Sequence, residues 1–244
     1  MRHGHETSAV PSVMGELVQR ALQPQPVPTP STVALLAALA LMLVIALWPI
    51  TRMVVTIAHE GGHAVVARLT GRTLTGIRLH SDTSGLTMSK GAPSGPGMVA
   101  TLLAGYVAPG LVGLAAALLL SRGYAVALLW TWVVLLALML LFIRNLYGLA
   151  VMLVAGGLVL AATWWLSPVQ QSWLGYLVTW TLLFAAPRPP LELLRRPSRT
   201  SDAGQLAGLT TVPAALWTML FLVINLACLA AGVTVLVPGV LRQV

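Results

Sequence analysis

The chain consists of long apolar runs separated by short breaks that contain proline, arginine or glycine. A helix needs about 20 apolar residues to cross a bilayer, and seven runs approach that length. They cover residues 32–50, 53–69, 98–120, 124–143, 145–166, 173–186 and 213–237. The sixth run is short, so six spans remain the alternative if that run is re-entrant. The pattern predicts an all-α polytopic membrane protein with about seven transmembrane helices.

Three segments interrupt the apolar pattern and are predicted to lie outside the bilayer. Residues 1–31 contain alternating prolines near their end, which is typical of a disordered arm. Residues 73–90 alternate apolar and polar positions and predict a small β-hairpin after the second run. Residues 187–201 are rich in proline and arginine and predict an irregular loop. The remaining chain, residues 32–240, is predicted to form one transmembrane domain.

The composition narrows the class of protein. Charged residues make up 8% of the 244 residues, and the mean hydropathy is +0.87. A soluble domain carries roughly 25% charged residues, so a soluble protein, a disordered protein and a nucleic-acid-binding domain are excluded. The single cysteine, Cys228, has no partner in the chain for an internal disulfide. The expected surroundings are therefore a lipid bilayer, with no nucleic-acid partner.

Basic residues indicate the orientation in the membrane. With seven spans, most of the 14 lysines and arginines fall on the side of the N-terminus, and Arg52, Arg122 and Arg242 fall on the opposite side. Cytoplasmic loops carry the excess of lysine and arginine in membrane proteins. The N-terminus, the hairpin and the loop at residues 187–201 are therefore predicted to be cytoplasmic.

A pair of histidines within the second apolar run carries the chemistry. His59, Glu60 and His63 fit the pattern His-Glu-x-x-His. On a helix, residues four apart share one face, and two imidazoles at that spacing can bind one Zn²⁺. Glu60 directly follows the first histidine and is predicted to act as general base on a zinc-bound water. The alternatives are a surface helix or polar residues that pair structurally with other spans.

Catalytic zinc usually has three protein ligands, so the histidine pair needs one more. Asp202 is the favoured candidate, because it opens the segment before the last span, at the cytoplasmic end where the histidines are predicted to lie. Asp202 equally suits a helix N-cap, with Gln205 three residues later. His80 and Asp82 are further candidates, although exposed polar residues are ordinary at a hairpin turn.

Several stretches carry a resemblance to a known family. The stretch from His59 to Ala67, with Thr70-Gly71-Arg72 and the hairpin after it, resembles the site-2 protease family of intramembrane zinc metalloproteases. Gly105-Tyr106 and Ser201-Asp202-Ala203 are similar to the bacterial peptidase-like branch of that family. The resemblance implies a multi-pass protein of a bacterial plasma membrane that cuts membrane-protein substrates near the cytoplasmic face.

The resemblance also implies a role for each motif residue. Zinc would be held by His59, His63 and Asp202, with Glu60 as the base. Better-known members place their aspartate near an Asn-Pro pair, which this chain lacks. Asn145 is the candidate for the substrate-orienting asparagine, and it equally suits a polar residue at a membrane boundary.

The expected activity is zinc-dependent hydrolysis of peptide bonds within or beside the bilayer. A helical substrate must unwind first, and the hairpin is expected either to pair its edge with the extended substrate or to cap the membrane surface. The alternative functions are a non-proteolytic membrane regulator or a transporter that retains a metal site. The sequence leaves the oligomeric state and the substrate identity open.

Overall fold

The computed structural model describes residues 13–237, in which the chain forms ten helices and one two-stranded antiparallel sheet. In chain order the elements are α1 (Val13–Leu22), α2 (Pro30–Ala46), α3 (Trp48–Leu69), β1 (Thr73–Leu79), β2 (Gly85–Lys90), α4 (Pro96–Ser121), α5 (Ala125–Leu140), α6 (Leu146–Trp165), α7 (Pro168–Ala185), α8 (Arg188–Arg195), α9 (Asp202–Leu209) and α10 (Ala214–Leu236). The mostly helical fold and the predicted hairpin are confirmed.

Fewer helices than predicted qualify as membrane spans among the described residues. α4, α6 and α10 are each long and apolar enough to cross a membrane. α2 and α3 together make at most a fourth span, because they meet at an angle of 102°. Each of the seven apolar runs forms a helix, but seven spans are not confirmed.

The bend between α2 and α3 has a local cause. Leu47 leaves the helical conformation, with φ −119° and ψ 43°. Pro49 follows in the first turn of α3, and its ring nitrogen has no hydrogen to continue the ladder of α2. Proline is well tolerated in a first turn, so α3 restarts at once in a new direction.

α4 is the central helix of the fold and packs against α3, α7, α9 and α10. Small residues line these contacts. A side chain at Gly62 of α3 would overlap the Ala104–Ala108 turn of α4, and one at Gly113 of α4 would overlap Leu183 of α7. Small residues let membrane helices approach closely, which brings α3 near enough for its histidines to face α4.

The hairpin is bound along its β1 edge by the link between α5 and α6. β1 and β2 pair antiparallel, with Ile77 opposite Thr87 and Leu79 opposite Gly85. On its other edge, Ile77 donates to the carbonyl of Phe142 at 2.7 Å and accepts from the N–H of Arg144 at 2.9 Å. The link between α5 and α6 therefore adds a short parallel bridge to β1.

The predicted irregular loop at residues 187–201 is wrong in part, because its first half forms α8. Its prolines stand in the first helical turn, where a missing N–H leaves no hydrogen bond unmade. Arg188 donates to the carbonyl of Val44 at 3.2 Å, and its guanidinium lies 4.0 Å from the centre of the Trp48 ring. α8 thus fastens the bend between α2 and α3.

A second contact of α8 corrects the assignment of Arg52. Its guanidinium lies 3.9 Å from the carboxylate of Glu192 in α8. The charge count assigned Arg52 to the side opposite residues 187–201, and that assignment is wrong. It treated α2 and α3 as two successive spans, whereas the bend at Leu47 places the start of α3 beside α8.

The arm before α2 also differs from its prediction. Residues 13–22 form α1, so the predicted disorder is wrong for this part of the arm. After α1, Gln25 donates its backbone N–H at 2.8 Å to the carbonyl of Gly123, which lies between α4 and α5. Residues 1–12 of the predicted arm lie outside the described residues.

Candidate metal centre

Two histidines of α3 face one another in the interior. His59 and His63 are one helical turn apart, and their Nε2 atoms lie 3.1 Å from each other. His63 is buried and His59 is about one fifth exposed. The i, i+4 spacing therefore delivers both imidazoles to one point, as the motif predicts.

α9 brings a carboxylate to the same point. Asp202 is buried, and its Oδ2 atom lies 3.3 Å from the Nε2 atoms of both His59 and His63. The N-cap of α9 is Ser201, whose hydroxyl accepts from the N–H of Gly204 at 3.2 Å. The alternative interpretation of Asp202 as the cap is wrong, because the preceding serine has that role.

The Nε2 atoms of His59 and His63 and the Oδ2 atom of Asp202 form a triangle with edges of 3.1, 3.3 and 3.3 Å. For ligands about 2.0–2.1 Å from a tetrahedral zinc, the distance between two ligand atoms is about 3.3 Å. Asp202 Oδ2 is buried and has no hydrogen-bond partner among the described residues. His59, His63 and Asp202 therefore match the size and chemistry of a site for Zn²⁺.

A hydrogen bond of the His63 ring to α4 determines which ring nitrogen faces the cluster. Nδ1 lies 2.7 Å from the backbone carbonyl of Thr101 in α4. A carbonyl only accepts, so Nδ1 carries a hydrogen, and in the neutral ring the lone pair is then on Nε2, which faces His59 and Asp202. Such a carbonyl commonly orients histidine ligands of metals.

Electrostatics keep the carboxylate of Asp202 in its charged form. Burial by itself favours the neutral acid, but the neighbouring imidazoles of His63 and His59 outweigh burial. They lower the pKa of Asp202 well below its usual range. An ionised carboxylate is the form that a metal binds.

Gly105 of α4 makes room for the pair of imidazoles. A side chain there would overlap the ring of His63 and would lie 2.7 Å from Cε1 of His59. Glycine spacing could not reveal this role, since it depends on which face of α4 meets α3.

Glu60 is buried beside the centre, at 2% exposure, and contacts the hairpin. Its Oε2 atom accepts a hydrogen bond of 2.6 Å from the hydroxyl of Thr87 in β2. A side chain at Gly85 would overlap the same carboxylate. Sequence reasoning did not single out Thr87 or Gly85, because nothing local marks which hairpin positions face α3.

A comparison with protein families then decides the assignment. Residues 32–232 match the family described as Peptidase M50B-like. The chain belongs to this family. No curated protein and no solved structure matched it. The resemblance to the site-2 protease family is confirmed, and the family and the apolar helices identify an integral membrane protein of the protease class.

An aromatic stack supports one histidine of this Peptidase M50B-like chain. Tyr106 packs edge-on against His59, with ring centres 4.8 Å apart, and stacks on Phe221 of α10 at 5.0 Å. The buried amide of Asn225 donates to the backbone carbonyls of both Tyr106 and Phe221 at 2.8 Å. α10 thus holds the turn of α4 that borders His59.

The other polar candidates lie outside the cluster of this family member. His80 and Asp82 are at the hairpin turn, where Asp82 accepts from the N–H of Ser84 at 3.0 Å and from its hydroxyl at 2.7 Å. These hydrogen bonds lower the pKa of the exposed Asp82 carboxyl. Neither residue belongs to the metal-binding group found among the described residues.

Asn145 links the start of α6 to the hairpin. Its amide donates to the carbonyl of Leu79 at 2.6 Å, and its oxygen accepts from the N–H of Leu79 at 3.2 Å. Leu79 is buried, so this side chain satisfies two backbone groups that have no access to water. The contacts offer a structural role for Asn145 beside the predicted substrate-orienting one.

Replacing Asn145 by alanine is expected to lower the free energy of unfolding by about 1–3 kcal/mol, because both backbone groups of Leu79 lose their partner. Thermal unfolding of the purified protein in detergent measures the change, and bound zinc is expected to stay at the parent value. Asn145→Asp retains only the acceptor, so its free energy of unfolding should lie between those of the parent and Asn145→Ala. Parent stability combined with a raised KM would assign Asn145 to substrate binding instead.

Proposed function

We propose that the protein is a zinc-dependent intramembrane endopeptidase that hydrolyses peptide bonds of membrane proteins near the cytoplasmic face. The observation that carries this proposal is the triangle of His59, His63 and Asp202, with the buried Glu60 directly after His59 in α3. Ionisable side chains are costly within apolar helices and are usually functional there.

The three ligand residues would hold the metal from two elements, α3 and α9. Zinc, when bound, would supply a Lewis acid that polarises the scissile carbonyl and makes water more acidic. Gly105 admits both imidazoles, and the carbonyl of Thr101 fixes the orientation of His63. The chain thereby keeps the ligand atoms in position before a substrate arrives.

Glu60 is the proton carrier in this proposal. Its carboxylate would accept a proton from the attacking water and then donate it to the amine of the leaving peptide. Glu60 directly follows the ligand His59 in α3, which keeps its backbone within one residue of the centre. Burial excludes bulk water that would compete for the same proton.

The free edge of β2 supports a route for presenting the substrate. The backbone groups of Ile77 and Leu79 point toward residues 142–145, away from β2. In an antiparallel pair their partners Thr87 and Gly85 then turn their own N–H and C=O groups to the outer edge of β2. Among the described residues, no backbone hydrogen bond joins these groups to another segment.

An extended peptide can add to such an edge as a further strand, bound by main-chain hydrogen bonds. On β2 it would lie against the same strand that contacts Glu60 through Thr87. A transmembrane helix must unwind before its carbonyls are accessible, and pairing with β2 would stabilise the unwound form. This supports membrane proteins as substrates.

The basic residues favour a cytoplasmic location for this end of the protein. Arg72, Arg78 and Lys90 belong to the hairpin region beside the centre, and further arginines follow in α8 and the turn before α9. Cytoplasmic surfaces of membrane proteins carry this excess. The proposed setting is a bacterial plasma membrane with the N-terminus in the cytoplasm.

The test compares the parent with Glu60→Gln when each is co-expressed with tagged single-span membrane proteins. The parent is expected to produce substrate fragments, and Glu60→Gln should lower the cleavage rate by roughly 10²–10⁴-fold, the usual contribution of a general base. Immunoblotting of both substrate ends measures the fragments. Zinc analysis of both purified proteins should give the same content.

Glu192→Gln is the matched control, because Glu192 is a half-exposed carboxylate on α8 outside the cluster. It should cleave at the parent rate. Fragments that appear equally with the parent and with Glu60→Gln would exclude the protease function and leave a metal-binding regulator or transporter.

A further inference from the structure

The carboxylate of Glu60 is bound by the hairpin. Thr87 Oγ1 lies 2.6 Å from Glu60 Oε2 and 3.2 Å from the backbone oxygen of the same residue. The hydroxyl has one hydrogen, and the shorter distance assigns it to the carboxylate. Gly85, two residues earlier on the same face of β2, has no side chain where the carboxylate lies.

This contact is not needed to hold the hairpin in place. Thr56 of α3 donates to the carbonyl of Thr83 at 2.7 Å, and Asn145 binds both backbone groups of Leu79. On the β1 edge, Ile77 makes two backbone hydrogen bonds with the link between α5 and α6. Three independent anchors therefore remain when the Thr87 hydroxyl is removed.

We propose that Thr87 is a positioning residue that acts through Glu60, and that Gly85 provides the space this requires. A glutamate side chain has several rotatable bonds, and a proton carrier must be held in one geometry to serve the reaction. The hydroxyl of Thr87 supplies that restraint from the strand whose outer edge would bind substrate. This inference rests on the proposed function of Glu60.

The coupling has a consequence for substrate use. A peptide paired on the outer edge of β2 contacts the backbone of Thr87, whose side chain holds Glu60 on the inner side. The strand that aligns the scissile bond is thus also the strand that aligns the base. Removal of the hydroxyl should disturb the chemical step and leave the backbone edge that binds substrate intact.

The experiment measures cleavage of a single-span substrate, identified by co-expression with the parent, by purified protein in detergent. Thr87→Val fills the same space without a hydroxyl, and it should lower kcat roughly 10- to 100-fold with little change in KM. Thr87→Ser retains the hydroxyl and should recover most of the rate. Thr75→Val is the matched control, because Thr75 donates to the carbonyl of Met88 in the same hairpin.

Two further measurements separate positioning from folding and from the proposed function. Zinc content and thermal stability of Thr87→Val should match those of Thr75→Val. In a Glu60→Gln background, adding Thr87→Val should cause no further loss of rate, since the residue acts through Glu60. An additive loss, or equal rates for Thr87→Val and Thr87→Ser, would overturn the inference.

The two proposals fail differently. Parent-level cleavage by Glu60→Gln contradicts the proposed function itself. A strongly impaired Glu60→Gln together with parent kcat in Thr87→Val contradicts only the role of Thr87. If Thr87→Val does not fold, Thr87→Ser alone still decides, because a rate as low as that of Glu60→Gln would show that the hydroxyl is not what matters.

Discussion

Replacing Asp202 by alanine is expected to remove zinc from the protein and to lower cleavage to the uncatalysed background, a fall of at least about 10⁶-fold. Two imidazoles would remain, and catalytic zinc usually requires three protein ligands. Asp202→Asn tests the charge separately, since it keeps the shape and loses the ionised oxygen. Metal analysis after dialysis against a chelator measures the zinc, and substrate fragments measure cleavage.

The fold should survive this substitution. Ser201 caps α9, so the helix keeps its N-terminal hydrogen bond without Asp202. An acidic residue in the first turn contributes about 0.3–1 kcal/mol through the helix dipole, which is small beside a metal site.

Asp82→Ala is the control for Asp202→Ala. It removes the hairpin carboxylate that binds Ser84, and it should keep both zinc and cleavage. Full zinc content in Asp202→Ala would exclude Asp202 as a ligand and leave it only a place at the start of α9.

The sequence predicts those parts of the site that depend on local geometry. A helical turn alone places His59 beside His63, and Glu60 directly follows His59 in the chain. Asp202 was favoured by its place near a helix end predicted to be cytoplasmic and by family resemblance, although the cluster joins residues far apart in the chain. The role of Gly105 was not predicted and Thr87 was missed, because both roles depend on which faces of α4 and β2 meet α3.

The fold also has parts that the sequence predicts and parts that it does not. Apolar runs predict where helices form, and alternation predicts the hairpin, because both patterns reflect local burial. The bend at Leu47 changes the number of spans without changing the composition of either helix. α8 was missed because its prolines suggested a loop, whereas a first helical turn accepts them. The contact of α8 with Arg52 shows that the bend at Leu47 also made the predicted side of Arg52 wrong.

The second prediction with a large effect concerns Gly105, which lies against both histidine rings. Gly105→Ala is expected to reduce bound zinc to near zero and to abolish cleavage, because the added methyl group would occupy space filled by both imidazoles. His63 cannot move aside easily, since Nδ1 is held by the carbonyl of Thr101. Moving α3 away from α4 would also open the close contact of Gly62 with Ala104, at a cost in packing. Zinc analysis and substrate fragments measure the two losses.

Helix propensity alone would predict the opposite effect of Gly105→Ala. Alanine is more favourable than glycine within a helix by about 1 kcal/mol, so a loss at Gly105 would run against the intrinsic preference of α4. Gly157→Ala in α6 is the matched control, because no atom lies within 4 Å of the position of its new methyl group. That variant should be as stable as the parent or more stable, with full zinc. If Gly105→Ala bound zinc as the parent does, the imidazoles would not occupy the space above Gly105, and the triangle with Asp202 would need a different geometry.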